Sequence, residues 1–172
     1  MLKKDCVSYL NTEVIMLIGF SGVGKSFWGA YIARTLGRSF YDSDSEIEKR
    51  EKMSVSDVFA QYGEVYFRQQ EYAVLSELVT YRPCVIATGG GAIEHQKFHI
   101  LTHNVHVWFL NETREIIESR LDTTAVVARP LWNDRVQLWD RRYPLYMQYA
   151  DFVSHADEMS IIGHVRELQS HV

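Results

Sequence analysis

Cysteine is almost missing from this 172-residue chain: Cys6 and Cys84 stand far apart and without C-x-x-C spacing. A disulfide framework or a zinc ribbon is thereby excluded as its organising principle, and free thiols in a reducing compartment are expected. Proline is as scarce, with three residues, and no repeat, low-complexity tract or Pro/Ser-rich linker marks a second domain. No apolar run approaches the ~20 residues that span a bilayer. The opening stretch MLKKDCVSYLN has no secretory h-region, so a cytoplasmic protein is expected. An excess of one charge is lacking too. Eighteen Lys and Arg against 22 Asp and Glu give a net charge of −4 and a pI near 6.0, which provides no global field for nucleic acid or a membrane surface. Hydrophobic residues make up 47%, enough to bury one sizeable core, and a single domain over residues 1–172 is the expectation.

What is present begins with IGFSGVGKS. Gly19, Gly24, Lys25 and Ser26 fit G-x-x-x-x-G-K-[ST], in which glycines let successive N–H groups converge on one anion at the start of a helix. In such a loop the lysine reaches the β- and γ-phosphates as a point charge and the hydroxyl is a ligand of Mg²⁺. The context suits the pattern. VIMLI (Val14 to Ile18) reads as a strand buried on both faces, and Trp28, Ile32 and Leu36 recur at helical spacing up to a C-capping Gly37. The loop, residues 19–26, is expected to hold a nucleoside triphosphate. Lys25 is expected to be exposed and to add little to packing.

Further strands are expected at Ser39 to Tyr41, Val85 to Thr88, Val105 to Leu110 and Phe152 to His155. Helical periodicity joins Val55, Val58, Phe59 and Tyr62, then Phe67, Val74, Leu75 and Leu78, and late in the chain Ile161, Ile162, Val165 and Leu168. Alternation of this kind builds an α/β fold of three layers, α/β/α, with a five-stranded parallel sheet covered on both faces. Ligands in such sheets sit beyond the carboxyl ends of the strands, so the residues after each apolar run carry the chemistry.

After the second strand, YDSDSEIEKR places Asp42 and Asp44 at a strand-to-helix junction. One of them can cap the helix and still leave a carboxylate for Mg²⁺ or for an acceptor hydroxyl. After the third strand, ATGGGAIE offers Gly89, Gly90 and Gly91, which have only backbone to contribute: close approach, or N–H donation. Between these strands lies GEVYFRQQE, where Glu64, Arg68 and Glu71 fall near the start of a helix and Glu71 is spaced to hold Arg68 in place.

Taken in order and spacing, GFSGVGKS, FYDSDSEIEKR, GEVYFRQQE, ATGGGAI, ARPL and RRYPLY resemble the shikimate kinase family from about Val14 to Phe152. The resemblance implies a P-loop NTPase of the nucleoside monophosphate kinase type, with a substrate-binding region at about 42–72 and a mobile lid. It implies transfer of the γ-phosphoryl of ATP to the 3-hydroxyl of shikimate in aromatic amino acid (chorismate) biosynthesis, with Mg²⁺ and by a monomer. Carried over residue by residue, it assigns nucleotide contacts to Gly22, Val23, Gly24, Lys25, Ser26, Phe27 and Arg129, and metal binding to Ser26 and Asp42. Asp44 becomes the best candidate for the base. Arg68, Arg142 and the backbone of Gly90 and Gly91 take the acceptor, the two arginines clasping its carboxylate, while Arg141 projects elsewhere on the same helix. Lys25, Asp44 and Arg129 form the catalytic set, with Arg129 on a lid at 121–134, LDTTAVVARPLWND. Val55, Phe59 and Phe67 match apolar walls of the pocket. Two positions depart from the family: Phe27 replaces a frequent second hydroxyl, and Trp132 follows RPL where leucine is commoner.

His95, His99 and His103 recur every four residues and are expected on one solvated helix face rather than around a metal. Trp108, within VHVWFL, is expected in the core. Kinases of gluconate or nucleoside monophosphates share the same loop, and a regulatory module without catalysis is a further alternative. A GTPase would need [NT]-K-x-D, which the sequence lacks.

Overall fold

The computed structural model describes residues 13–123 and 135–170. Arg129, Trp132 and most of the expected lid lie outside them. The first positions of that segment, 121–123, continue a helix (Arg114–Thr123) rather than opening a loop.

Five strands form one parallel sheet: β1 Val14–Ile18, β2 Ser39–Asp42, β3 Cys84–Ala87, β4 His106–Asn111 and β5 Phe152–His155. They are arranged β2-β3-β1-β4-β5, all neighbours parallel. β1 is central, and all five of its residues are buried, as a strand covered on both faces requires. β2 is one residue longer than expected because Asp42 pairs with Ala87 before it caps the next helix. β3 and β4 are each displaced by one position from the expected spans. The registers Val14↔Cys84 and Ile15↔His106 set their starts.

The helices are α1 Lys25–Leu36, α2 Ser43–Glu51, α3 Val55–Leu78, α4 Phe98–Leu101, α5 Arg114–Thr123, α6 Arg135–Tyr149 and α7 Glu158–Ser170, with a 3-10 turn at Ala92–Glu94. α1 ends at Gly37, whose N–H reaches Ala33 O and Arg34 O. α3 is two helical pieces joined at Gly63, φ 80°. The break falls between the two apolar periodicities of the sequence, so each piece turns its own stripe inward, the first through Val58 and the second through Phe67, Val74, Leu75 and Leu78, while Tyr62 stays exposed.

β4 shows how the layers are built. Successive strand residues face opposite sides. Trp108 meets His164 of α7 edge-on at 4.6 Å, whereas Phe109 stacks on Tyr146 of α6 at 4.9 Å. α7 and α6 therefore cover opposite faces. The three histidines do not share a helix face. His95 follows the 3-10 turn and stacks on Tyr72, His99 lies in α4 and His103 beyond it. α4 is a single turn with Phe98 and Leu101 buried, and Asn104, at φ 60°, takes the chain out of helical backbone before β4. No group of three His, Cys, Asp or Glu suited to a metal occurs among the described residues, and none of their helices is long and apolar enough to cross a membrane.

Trp108 is fully buried and its Nε1 donates to Ser154 Oγ at 2.7 Å, tying β4 to β5. Trp108→Ala is expected to lower unfolding free energy by about 3–5 kcal/mol, measured by urea denaturation. A loss under about 1 kcal/mol would remove this residue from the core.

Candidate active site

Three loops meet at the carboxyl edge of the sheet. The first leaves β1 through Gly19 (φ 146°) and enters α1 through Gly24 (φ 100°), backbone that L side chains rarely adopt. A Cβ at Gly19 would also stand 2.6 Å from Leu110 O. Gly24 caps α1 with no side-chain hydrogen bond, so the cap itself leaves the first-turn N–H groups to an anion. Lys25 is not the exposed lysine expected of a loop. It is buried, and its Nζ donates to Gly19 O at 2.7 Å and Phe20 O at 2.8 Å, since an ammonium drawn under a tight loop takes the carbonyls that the turn directs inward. The Phe27 side chain stands 70% exposed, edge-on to Trp28. Arg120, absent from the sequence reading, donates to Val23 O at 3.2 Å and so braces the loop from α5.

The second loop carries Asp42 and Asp44. Asp42 Oδ1 accepts from the N–H groups of Asp44 (3.0 Å) and Ser45 (3.3 Å), capping α2, while Oδ2 accepts from Ser26 Oγ at 2.5 Å. One carboxylate thus caps the helix and accepts from Ser26. Ser26 Oγ and Asp42 Oδ2 are adjacent oxygen donors beside the phosphate loop, a donor type that suits a hard divalent cation. Asp44 sits in the first turn of α2, where the helix dipole favours its charge.

The third loop, Gly89–Gly91, explains its own composition. A Cβ on Gly89 would stand 2.8 Å from Asp44 Oδ1 and closer still to Glu71 Oε1. On Gly90 it would meet Ser21 Oγ at 2.7 Å, and on Gly91 the Arg68 guanidinium carbon at 2.6 Å. Each missing side chain is replaced by a polar group from another element. Gly89 N–H donates to Ser43 Oγ at 2.9 Å, and Gly90 O accepts from the Tyr146 hydroxyl of α6.

These loops and helices α2, α3, α5 and α6 enclose a cavity of about 360 Å³, within the range of small-molecule sites. Of the residues expected at the site, Ser26, Asp42, Asp44, Arg68, Gly90, Gly91 and Arg142 line it, as do Val55, Phe59 and Phe67. Lys25, Gly22, Val23, Gly24 and Phe27 do not. Sequence reasoning missed Ser21, Glu48, Arg114, Glu118 and Trp139 on its wall. Trp139 stacks on Phe20 at 4.1 Å. A tryptophan three positions before Arg142 on an amphipathic helix was the only available sign.

Both arginines are held by carboxylates. Arg68 Nη1 donates to Glu71 Oε2 at 2.7 Å, and Nε and Nη2 reach Glu64 Oε1 at 3.3 Å. Arg142 Nε donates to Glu94 Oε2 at 2.7 Å. Arg141, expected to project elsewhere, binds the same carboxylate through Nε to Oε1 at 2.5 Å. Glu94 lies in the 3-10 turn and reaches two consecutive arginines of α6, because each of its oxygens serves one of them.

Burial pushes Glu71 up to about 7, with Arg68 opposing and Asp44 adding to the rise. Its Oε1 has no hydrogen-bond partner among the described residues. A carboxyl raised in the folded state binds a proton there that it has already lost in the unfolded chain, so its contribution to stability falls as pH rises from about 4.5 to about 7. Glu71→Gln removes the titration. The stability of this variant relative to the parent is expected to increase between pH 5 and pH 7.5, by on the order of 1–3 kcal/mol, in urea denaturation at several pH values. A difference independent of pH would show that Glu71 is ionised throughout.

A family model described as shikimate kinase matches residues 21–172. A shikimate kinase of Bartonella henselae is 35% identical over 150 residues, covering 84% of this chain and 71% of the relative. One from Rhizobium meliloti is 38% identical over 147 residues, covering 81% and 75%. Among solved structures, shikimate kinase from Acinetobacter baumannii in complex with shikimate superimposes with a TM-score of 0.80 at 28% identity, covering 95% of this chain and 94% of that one. A gluconokinase from Sinorhizobium meliloti, at 15% identity and a TM-score of 0.52, shares the fold. On its sequence and its architecture alike, the chain belongs to the shikimate kinase family.

Proposed function

We propose that this chain transfers the γ-phosphoryl group of ATP to the 3-hydroxyl of shikimate. One observation carries the reading beyond family membership: a single cavity is lined by Ser26 and Asp42 beside the phosphate loop and, among its arginines, by Arg68 and Arg142, suited to a carboxylate. Guanidinium meets a carboxylate with parallel hydrogen bonds, and shikimate has one carboxylate to offer. Asp44 lines the same cavity, which supports it as the acceptor of the hydroxyl proton.

In this reading the acceptor oxygen attacks the γ-phosphorus, the bond to the bridging oxygen of ADP breaks, and the hydroxyl proton passes to Asp44. Transfer of this kind depends on position and on neutralised charge more than on covalent chemistry. Gly24 and the first turn of α1 receive phosphate oxygens. Lys25 exchanges the carbonyls of Gly19 and Phe20 for the triphosphate, and Arg129 supplies charge from the lid. Ser26 and Asp42 would hold Mg²⁺, which would supply positive charge to offset the charge of the phosphate oxygens. Arg68 and Arg142 orient the acceptor, and closure over the site excludes water, which would otherwise take the phosphoryl group.

Release of ADP from MgATP in the presence of shikimate, gluconate or AMP, each alone, tests the reading. Shikimate is expected to support turnover and the other two are not, and turnover with gluconate or AMP instead would overturn it. Lys25→Met is expected to lower kcat at least about 100-fold. Because Lys25 is buried on two carbonyls, this variant is also expected to lose about 1–3 kcal/mol of stability, so folding is checked by circular dichroism. A folded variant with near-native turnover would remove Lys25 from the chemistry.

Gly91→Ala separates acceptor binding from folding. The backbone there, φ −103°, accepts alanine, and the group in the way is the terminal guanidinium of Arg68. Arg68 is therefore displaced while the fold survives, and kcat/KM for shikimate is expected to fall about 10- to 100-fold with MgATP affinity near native. Equal loss of both affinities would contradict the placement of Arg68.

A further inference from the structure

Two arginines share one carboxylate at the edge of the cavity. Arg142 is 8% exposed in its side chain and lines the cavity, Arg141 is 58% exposed and does not, and Glu94, at 19%, bridges them. Glu94 Oε2 lies 2.7 Å from both Nε and Nη2 of Arg142, and Oε1 lies 2.5 Å from Nε of Arg141. An arginine has two edges that match a carboxylate. Glu94 Oε2 accepts from Nε of Arg142, while the buried Nη2 has no hydrogen-bond partner among the described residues, so the Nη1/Nη2 edge is left to a ligand.

The charges show why two arginines are needed. A buried arginine with no counter-ion is costly, and Glu94 relieves that cost and fixes the side chain. Alone, however, Glu94 would also cancel the charge that attracts an anionic ligand. With Arg141 on its other oxygen, the triad Arg141–Glu94–Arg142 has a net charge of +1 from its three full charges. Burial alone would raise the Glu94 carboxyl. Arg142 and Arg141 together outweigh that and hold it below the usual carboxylate range, so Glu94 remains an anion that needs compensation.

We propose that Arg141 is a positioning and charge-compensating residue for acceptor binding: it neutralises Glu94, so that Glu94 can lock Arg142 in place without cancelling its attraction for the acceptor's carboxylate. The proposal rests on the reading of shikimate as acceptor. Arg141 does not touch the acceptor in this arrangement. Its influence reaches the site through Glu94 alone.

Equilibrium binding of shikimate and of MgATP, measured by calorimetry on the full chain, tests the triad. Arg141→Ala is expected to weaken shikimate binding about three- to tenfold, with MgATP affinity unchanged. Arg141→Lys, which keeps the charge, should restore affinity to within about twofold of the parent. Adding Arg141→Ala to Glu94→Gln should change affinity by less than about twofold, since no carboxylate remains to be compensated. A shikimate analogue with an alcohol in place of the carboxylate should bind the parent and Arg141→Ala alike. Parent-like shikimate affinity in Arg141→Ala, or an undiminished loss when it is added to Glu94→Gln, overturns the proposal while leaving the acceptor reading intact. A parent that binds no shikimate overturns both.

Discussion

The strip of backbone after β3 is where the parts of this site are forced into contact. Gly89, Gly90 and Gly91 present no side chains, and the space is filled by Glu71 and Asp44, by Ser21, and by Arg68. Three separate elements, the phosphate loop, α2 and α3, thereby reach the same few ångströms of chain. Tyr146 fastens the strip to α6 from the other side. A single Cβ added here would displace a polar group whose position matters, and so the site depends on what these residues lack.

That convergence places charges where water is scarce, and the arrangement of ion pairs follows. Arg68 and Arg142 are each anchored by a carboxylate that itself sits in the scaffold: Glu71 on the same helix as Arg68, Glu94 in the turn facing Arg142. The two anchors differ. Glu71 is buried with one oxygen unsatisfied among the described residues, and burial moves its titration toward neutral pH. Glu94 is held by two arginines and stays ionised. Phosphoryl transfer needs its cations fixed before the ligands arrive, because reorganising them during reaction costs rate. Carboxylates anchored in secondary structure fix them.

Much of this was legible in the sequence, wherever function depends on local backbone chemistry. The glycines of 19–24 are read from spacing because a phosphate nest needs left-handed backbone at set positions. The β/α alternation is read from periodicity because a central parallel strand such as Val14–Ile18 must be apolar throughout. Asp42 as a helix cap follows from its place at a strand end. The spacing of Arg68 and Glu71 gives an ion pair because residues three apart on a helix are neighbours.

Other features were decided only by the tertiary structure, because they join residues that local chemistry cannot relate. Lys25 folds under its own loop, a consequence of where the turn directs its carbonyls. Arg141 and Arg142 look like one projecting and one retracted residue of a helix, yet Glu94, 48 positions before Arg142, binds both. The histidines of 95–103 keep a helical spacing that the chain does not use, since α4 covers only Phe98–Leu101 and the backbone turns left-handed at Asn104. Sequence determined which groups are available and which backbone shapes are allowed. Packing between distant elements decided which charges meet, since electrostatic pairing depends on distance in space and on exclusion of water, and neither is encoded in spacing along the chain.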